Sequence, residues 1–296
     1  MQKSMKCTKK ISLLAVMAFV VVSCNQKPEF IQLDSGLKYR IVDNAEGEKA
    51  AEGDVMNLIM DHTWKDSVLY SGLDPLGNYL NPRTSVPPNL SEAFLAFGEG
   101  DSAQIEMTLG EYAQITNFPI SEDLDSSETV RWNVRVLEIE NEGTVLERIR
   151  NEQLEIDKGI IEDFLSEEGI EAEQTEEGLY YAIERKGNGA YPKEGDTVEV
   201  NYTLRTLDGR IIDTSFEDVA KENNLYNEQR AYEPLSFTLG GGGIIQGWNI
   251  GIPQVDKGGK GTLYIPSVYG YGNRGSGGNV IPPNTVLIFE VEVVNF

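Results

Sequence analysis

The side chains that most often perform catalysis are scarce in this chain. His62 is the only histidine among 296 residues, and the two cysteines, Cys7 and Cys24, both lie near the N-terminus. Nucleophilic schemes that pair serine or cysteine with histidine, and metal sites built from several histidines, are therefore not expected. We therefore expect a function without a proton-transfer dyad built on histidine, and we predict no metal ion and no cofactor.

A glycine-rich segment contains the pattern G-x-G-x-x-G, at Gly270, Gly272 and Gly275. In a dinucleotide fold, such glycines open a helix whose N-terminal amides meet the pyrophosphate. Here the following residues are SGGNVIPP, and consecutive glycines and prolines break a helix. We therefore expect the glycines to shape a bending loop, and the nucleotide-like spacing to be a coincidence.

The elements that must position any site in the C-terminal half are mostly strands. LDGR at 207–210 predicts the turn of a hairpin, and the only short helix candidate spans residues 245–251, around Trp248. Antiparallel strands with one covering helix form an α+β arrangement. Apolar residues alternate with polar ones, which gives each strand one buried face, at Val198, Val200, Tyr202 and Leu204, at Leu235, Phe237 and Leu239, and at Leu287, Phe289, Val291 and Val293.

The two halves of the chain repeat each other. GLKYRI at 36–41 returns as GLYYAI at 178–183, and EGDVMNLIM at 52–60 returns as EGDTVEVNY at 194–202, both with an offset of 142 residues. VRWNVRVLEIE at 130–140 matches LIFEVEVVNF at 287–296, which places Trp132 opposite Phe289. We therefore predict two copies of one fold, over residues 36–140 and 178–296.

Residues 141–177 predict an acidic helical linker between the copies. Thr144 and Glu147 form a capping-box start, and Gly169 suits the C-terminal end of a helix. An apolar stripe near helical spacing is expected to pack on a neighbouring domain rather than to bind a partner. The residues of this stripe are Leu146, Ile149, Ile156, Ile160 and Phe164.

The first residues predict export. Four lysines precede an apolar run over residues 11–22, which is shorter than the ~20 residues of a membrane-spanning helix but suits a secretory signal. VVSC at 21–24 resembles a bacterial lipobox, so we expect a signal peptide over 1–23, a lipid on Cys24 that anchors the chain to a membrane, and a tether over 24–35. The alternative is an ordinary signal peptide with an incidental cysteine. Asn25, by resemblance to known lipoprotein sorting, favours the outer membrane of the cell envelope and leaves the membrane face open.

The charge of the chain argues against nucleic acid as a partner. The net charge is −23, and such a surface repels nucleic acid and anionic headgroups. We expect the acidity to keep an exported protein soluble.

Five segments occur in an order and spacing that resemble the FKBP-type peptidyl-prolyl cis-trans isomerases. They are VNYTLRTLDGRIIDTS, PLSFTLG, GGIIQGW, GGKGTLYIPSVYGYG and VIPPNTVLIFEVEV. The resemblance covers residues 178–296, and its specificity lies in the combination of segments. It implies a twisted antiparallel sheet wrapped around a short helix with the active pocket between them, and hence two such copies joined by a helix.

The resemblance also implies roles for individual residues, each of which, taken alone, has the type and spacing of an ordinary core residue. Trp248 would be the floor under the proline ring, and Tyr271 would donate a hydrogen bond to the carbonyl before proline. Ile212 and Leu235 stand where the family commonly has phenylalanines, which makes the pocket wall aliphatic at two places. The implied catalytic residues are Tyr202, Asp213 and Tyr271, and the implied substrate-binding residues are Ile212, Leu235, Phe237, Ile244, Ile245, Trp248, Ile281 and Phe289.

Two regions depart from the family. Residues 217–233 are longer than in compact members and form either a substrate-contacting flap or a tolerated surface insertion. In the N-terminal copy, Met60 and Ser71 replace Tyr202 and Asp213, TLGEYAQI stands in place of PSVYGYGN, and nothing matches GGIIQGW. We therefore predict a first domain without isomerase activity, serving as a spacer, a chaperone surface or a dimer contact.

The function that the resemblance implies is peptidyl-prolyl cis-trans isomerisation, assisting the folding of exported proteins that contain proline. The alternative is a non-catalytic chaperone or assembly module of the cell envelope. A third hypothesis, a surface lipoprotein that binds glycan or nutrient, rests on the anchor and on exposed aromatic residues alone.

Overall fold

The computed structural model describes residues 28–72, 79–121, 123–278 and 280–296. The predicted signal peptide and Cys24 lie outside the described residues. The chain forms two compact units, residues 1–140 and 141–296. Among the residues described, no helix combines the length and the apolar character needed to cross a membrane.

The first unit contains an antiparallel sheet and two short helices. The helices are α1 (Pro88–Phe94) and α2 (Leu109–Thr116). The strands are β1 (Ile31–Gln32), β2 (Lys38–Asp43), β3 (Asp54–Trp64), β4 (Ser67–Gly72), β5 (Tyr79–Leu80), β6 (Ser102–Thr108) and β7 (Thr129–Asn141). They follow the order β1-β2-β6-β7-β3-β4, and β5 pairs with β3.

The second unit contains an antiparallel sheet with a long helix before it. The helices are α3 (Glu142–Glu168), α4 (Glu217–Glu222) and α5 (Gln246–Gly251). The strands are β8 (Glu173–Gln174), β9 (Tyr180–Arg185), β10 (Thr197–Arg205), β11 (Ile211–Thr214), β12 (Leu235–Thr238), β13 (Lys260–Ile265) and β14 (Leu287–Asn295). Their order is β11-β10-β14-β13-β9-β8, with β12 paired to β10. The predicted α+β class is confirmed.

The two sheets have one topology, which agrees with the predicted duplication. Read from the other edge, the second order is β8-β9-β13-β14-β10-β11, which matches β1-β2-β6-β7-β3-β4 strand for strand. The first sheet begins at β1, before residue 36, and the second at β8, before residue 178.

The N-terminal copy has a helix in the place of α5, although no sequence there matches GGIIQGW. Helix α1 lies between β5 and β6, and α5 lies between the equivalent strands β12 and β13. The sequence of α1 is PNLSEAF, and Leu90 occupies the place in this helix that Trp248 occupies in α5. The insertion 217–233 shifts the offset between the copies from 142 to 158 residues across this region, which hides the equivalence of the two helices.

Helix α5 lies very close to strand β13, because two of its residues are glycines. A Cβ atom on Gly247 would lie 2.4 Å from Ile265, and one on Gly251 would lie 2.6 Å from Leu263. Only glycine permits so close an approach without displacing the strand side chains. The helix is thereby held over the sheet with Trp248 between them, buried at 3% exposure.

Helix α3 differs from its predicted form in its start and in its buried face. It begins after Asn141, whose side chain caps the amide of Gly143, rather than at Thr144, and it ends at Gly169 as predicted. The predicted stripe faces solvent at Leu146, Ile156 and Ile160. The face that packs on the second sheet contains Leu154, Asp157, Ile161 and Leu165, and Phe164 of the predicted stripe packs beside Tyr264.

Candidate active site

A cavity of about 540 Å³ opens between α5 and the sheet of the second unit. Its lining combines rings, aliphatic side chains and one carboxylate. The lining residues are Tyr202, Leu204, Asp213, Leu235, Gly243, Ile244, Ile245, Gln246, Trp248, Val268, Tyr269, Gly270, Tyr271 and Phe289.

Trp248 lies at the centre of the aromatic part of this cavity. Its ring centroid is 5.3 Å from those of Tyr202, Phe237 and Phe289, all at tilted or edge-on angles. These arrangements are the favourable ones for aromatic pairs. Alternation along β10, β12 and β14 turns the three partners towards the helix, so the sheet pattern itself builds the apolar floor.

A polar network closes one edge of the cavity. The hydroxyl of Tyr202 donates to Oδ2 of Asp213 at 2.6 Å, and the guanidinium of Arg230 donates to Oδ1 of the same carboxylate and to the Tyr202 hydroxyl at 3.1 Å. Burial, followed by the hydrogen bond to Asp213, raises the pKa of Tyr202 to about 12. The phenol therefore stays protonated and remains a hydrogen-bond donor at neutral pH.

Tyr271 also lines the cavity. Burial and the nearby Asp213 charge raise its pKa above the ordinary value, so it also remains a donor. Within the described ranges this hydroxyl has no hydrogen-bond partner, and the residue is 36% exposed. Tyr269 and Tyr271 were predicted at the end of a strand. Tyr269 instead ends a 3₁₀ turn at 267–269, and Tyr271 lies directly before a second turn at 272–274, because Pro266 ends the strand.

The glycine-rich loop after Tyr271 bends as predicted. Gly272, Gly275, Gly277 and Gly278 all have positive φ, which favours glycine. A Cβ on Gly275 would lie 2.2 Å from the carbonyl oxygen of Ile281. Ser276 and Ile281 pair in an isolated antiparallel β-bridge. The loop thus folds back on itself, and the G-x-G-x-x-G pattern opens no α-helix that could meet a pyrophosphate.

The structure brings together most of the side chains that the sequence singled out. Eight of them line the cavity, namely Tyr202, Asp213, Leu235, Ile244, Ile245, Trp248, Tyr271 and Phe289. Phe237 contacts Trp248 from behind, and Ile212 and Ile281 pack on the same core without reaching the lining.

Sequence reasoning missed Arg230 and the lining role of Leu204, Val268 and Tyr269. Leu204 continues the alternation of β10, which is a signal that could have found it. Arg230 lies in the segment 217–233, and no local sequence pattern predicts that this segment folds back to Asp213.

The equivalent region of the first unit lacks the chemistry of this site. By the repeat, Met60 stands at the place of Tyr202, Ser71 at that of Asp213, and Leu90 at that of Trp248. The hydroxyl of Ser71 donates to Asp61, which is an exposed surface pair. At the two repeat positions, a methionine and a serine thus replace the phenol and the carboxylate of the Tyr202–Asp213 pair.

Aromatic side chains occupy the space instead. The ring of His62 stacks on Trp132 at 4.0 Å between centroids, and Tyr112 meets both rings edge-on. His62, Tyr112 and Trp132 are all buried. Burial lowers the pKa of His62 to about 4, so its imidazole is neutral at physiological pH. Among the described residues of the first unit, a packed aromatic cluster lies where the repeat places part of the cavity lining of the second.

The described part of the chain holds no group of three or more histidine, cysteine, aspartate or glutamate side chains that could bind a metal ion.

The second unit thus combines an antiparallel sheet, a short helix packed on it and an aromatic cavity between them. The family model described as FKBP-type peptidyl-prolyl cis-trans isomerase matches residues 189–294. The FK506-binding protein 1A of Aspergillus fumigatus is 39% identical over 118 residues, which are 40% of this chain and 93% of that protein. This chain therefore belongs to the FKBP-type peptidyl-prolyl cis-trans isomerase family.

A longer relative matches over a similar region. The FKBP-type peptidyl-prolyl cis-trans isomerase FkpA of Escherichia coli strain K12 is 39% identical over 134 residues, which are 45% of this chain and 43% of that protein. The crystal structure of FkpA from Escherichia coli is 30% identical, covers 52% of this chain and 65% of that chain, and has a TM-score of 0.37. This chain thus spans less than half the length of the first curated relatives it matches.

Proposed function

We propose that this protein catalyses the cis–trans isomerisation of Xaa-Pro bonds in the cavity of its second domain. The observation that carries the proposal is the convergence of Trp248, Tyr202, Asp213, Tyr271 and Phe289 on one cavity of about 540 Å³. A floor of rings suits the proline ring, and Tyr271 brings a phenol donor to the same cavity.

The proposed reaction needs no group that the chain lacks. Rotation about a peptide bond must overcome a barrier of ~18–20 kcal/mol that arises from amide resonance. An apolar cavity disfavours the planar, charge-separated amide relative to the twisted one, and positioned hydrogen bonds stabilise the twist. Each ~1.4 kcal/mol of preferential stabilisation gives a tenfold gain in rate, so a few such contacts suffice.

The donors divide between two positions. Tyr271 has a free hydroxyl and is proposed to donate to the carbonyl of the residue before proline. Tyr202 is already engaged with Asp213 at 2.6 Å, and Arg230 fixes the carboxylate from the other side. This pair is proposed to shape the cavity edge and to place a polar rim beside the twisting amide.

Turnover of Xaa-Pro peptides in a protease-coupled assay tests the proposal. One neutral hydrogen bond contributes ~0.5–1.5 kcal/mol, so Tyr271→Phe should lower kcat/KM about two- to tenfold. Asp213→Ala removes the partner of both Tyr202 and Arg230 and should lower kcat/KM about tenfold. Tyr191→Phe, at an exposed tyrosine of the same domain, is the matched control and should leave turnover unchanged.

An intact chain that gives only the uncatalysed rate would overturn the proposal. The non-catalytic alternative, a chaperone or assembly module of the envelope, would then stand in its place.

We further propose that the first domain is not catalytic and that the chain works in the cell envelope, attached through a lipid on Cys24. The packed aromatic cluster around His62 supports the first statement, and the sequence VVSC supports the second. The clients would be unfolded or nascent exported proteins that contain proline. Incorporation of labelled palmitate that is abolished by Cys24→Ser is the expected result, and unchanged incorporation would contradict the anchor.

A further inference from the structure

A fully buried carboxylate lies in the middle of helix α3, outside the region that the family model matches. Asp157 is 0% exposed, and both of its oxygens are engaged. Oδ2 accepts hydrogen bonds from the backbone N–H and the hydroxyl of Ser267, at 2.7 and 2.6 Å, and Oδ1 accepts one from the amide of Gln153 at 2.8 Å. Burying such a polar group is costly unless it is satisfied in this way.

The partner of Asp157 begins the wall of the cavity. Ser267 is the first residue of the 3₁₀ turn after β13, and it is itself 0% exposed. The four residues that follow, 268–271, all line the cavity, and Tyr271 is the last of them. Because the amide of Ser267 has no partner inside its own turn, Asp157 supplies the bond that fixes where this wall starts.

Two further contacts tie the same wall to α3 and to the segment behind it. The guanidinium of Arg150 lies over the ring of Tyr269, 5.4 Å from its centroid, and the Tyr269 hydroxyl donates to the carbonyl of Glu177 at 2.8 Å. Leu154, one turn before Asp157, packs on the core that contains Trp248. The wall is therefore held from α3 at successive turns of the helix.

We propose that Asp157 is a positioning residue for isomerisation, which acts through Ser267 to place the hydroxyl of Tyr271. Helix α3 is thereby part of the catalytic domain rather than a linker, and turnover depends on a residue that never touches substrate. This inference rests on the proposed isomerase function.

The test uses the full chain and compares Asp157→Asn with Asp163→Asn, an exposed aspartate on the same helix. Asparagine keeps the shape of the side chain but is neutral. Hydrogen bonds that it accepts from Ser267 therefore lack the negative charge that strengthens those of the carboxylate. Since misplacing a catalytic group by ~1 Å can cost ~100-fold in rate, we expect kcat/KM to fall about tenfold in Asp157→Asn, mainly through kcat. The control should stay at the wild-type value.

A double-mutant cycle separates positioning from general destabilisation. If Asp157 acts through Tyr271, Asp157→Asn should cost much less in a Tyr271→Phe background than in the wild type. Ser267→Ala, which removes only the hydroxyl contact, should lower kcat in the same direction and provides a second route if Asp157→Asn does not fold. Equal costs of Asp157→Asn in both backgrounds, or unchanged turnover, would overturn the inference.

Hydrogen exchange keeps this inference distinct from the proposed function. If the wild-type chain accelerates no isomerisation, the proposed function fails, and the inference is judged on the amides of residues 267–271. Their protection should fall about tenfold or more in Asp157→Asn and remain in Asp163→Asn. Unchanged protection in Asp157→Asn would show that the carboxylate does not hold the wall.

Discussion

At the scale of single residues, His62 is a buried imidazole that must remain neutral in the folded first domain. Its pKa is lowered from 6.5 to about 4 by burial, against a smaller opposing effect of Asp61. The unfolded chain therefore binds a proton in this range that the folded chain does not. The stability that depends on neutral His62 is complete above about pH 6.5 and is lost as the pH falls through 4.

This linkage predicts that acid weakens the first domain selectively. Between pH 7 and pH 5, the free energy of unfolding should fall by about 2 kcal/mol through His62. Hydrogen exchange of β6 and β7 in the intact chain measures it, and His62→Phe, which keeps a ring beside Trp132, should remove most of the pH dependence. The same loss in His62→Phe as in the wild type would contradict this account.

Arg230 is a second residue of interest, because it connects the segment 217–233 to the cavity edge. Its guanidinium contacts both Asp213 and the Tyr202 hydroxyl, which favours a role at the site over a passive insertion. The ion pair is partly exposed, so we assign it a role in geometry rather than a large share of stability. Residue types alone did not predict it, because the partners are 17 residues apart and are joined by α4 and the loop that follows it.

At the scale of elements, the loop after Tyr271 depends on one glycine more than on its neighbours. Gly275 and Gly278 have nearly the same φ, 62° and 61°, but only a Cβ on Gly275 meets backbone, at 2.2 Å from the carbonyl oxygen of Ile281. Gly278→Ala should cost about 1 kcal/mol, from positive φ alone. Gly275→Ala should cost at least about 2 kcal/mol more and should also lower turnover. Urea unfolding of the two variants compares them, and equal costs would show that the clash is relieved without consequence.

Helix α3 makes a second prediction at this scale. Ile161 is fully buried on the face that meets the sheet, whereas Ile156 is 54% exposed. Ile161→Ala should destabilise the second domain by about 2–5 kcal/mol, and Ile156→Ala should change its stability by less than about 0.5 kcal/mol. Trp248 fluorescence during urea unfolding reports both. A larger effect at Ile156 would mean that the stripe predicted from the sequence is the packed one.

The sequence did not reveal the buried face of α3 or the presence of α1, and the physical reasons differ. The strands were predictable because apolar and polar residues alternate along them, and this alternation identifies the buried face directly. Helix α3 carries apolar residues on two faces, and the buried one is interrupted by Asp157, so periodicity chose the exposed face. Helix α1 was missed because Leu90 fills the place of Trp248 and gives no aromatic signal.

At the scale of the whole molecule, the chain contains two copies of one topology that differ in the residues around the site. The second has a cavity lined by Trp248, Tyr202, Asp213 and Tyr271, and the first packs His62, Tyr112 and Trp132 against one another. The duplication was predictable from the repeated segments, whereas the aromatic cluster of the first copy was not. It depends on α2 bringing Tyr112 beside strands β3 and β7, which a pairwise comparison of the copies does not reveal.

The central claim is that the cavity of the second domain is responsible for all of the isomerase activity. Exchange between the cis and trans forms of a proline peptide, followed by NMR without a coupling protease, measures this directly on the intact chain. The wild type should accelerate exchange, and the doubly substituted chain Asp213→Ala, Tyr271→Phe should lose at least about tenfold of that acceleration while its first domain stays folded. Undiminished exchange in the double variant would place the activity elsewhere, and no acceleration by the wild type would contradict the account as a whole.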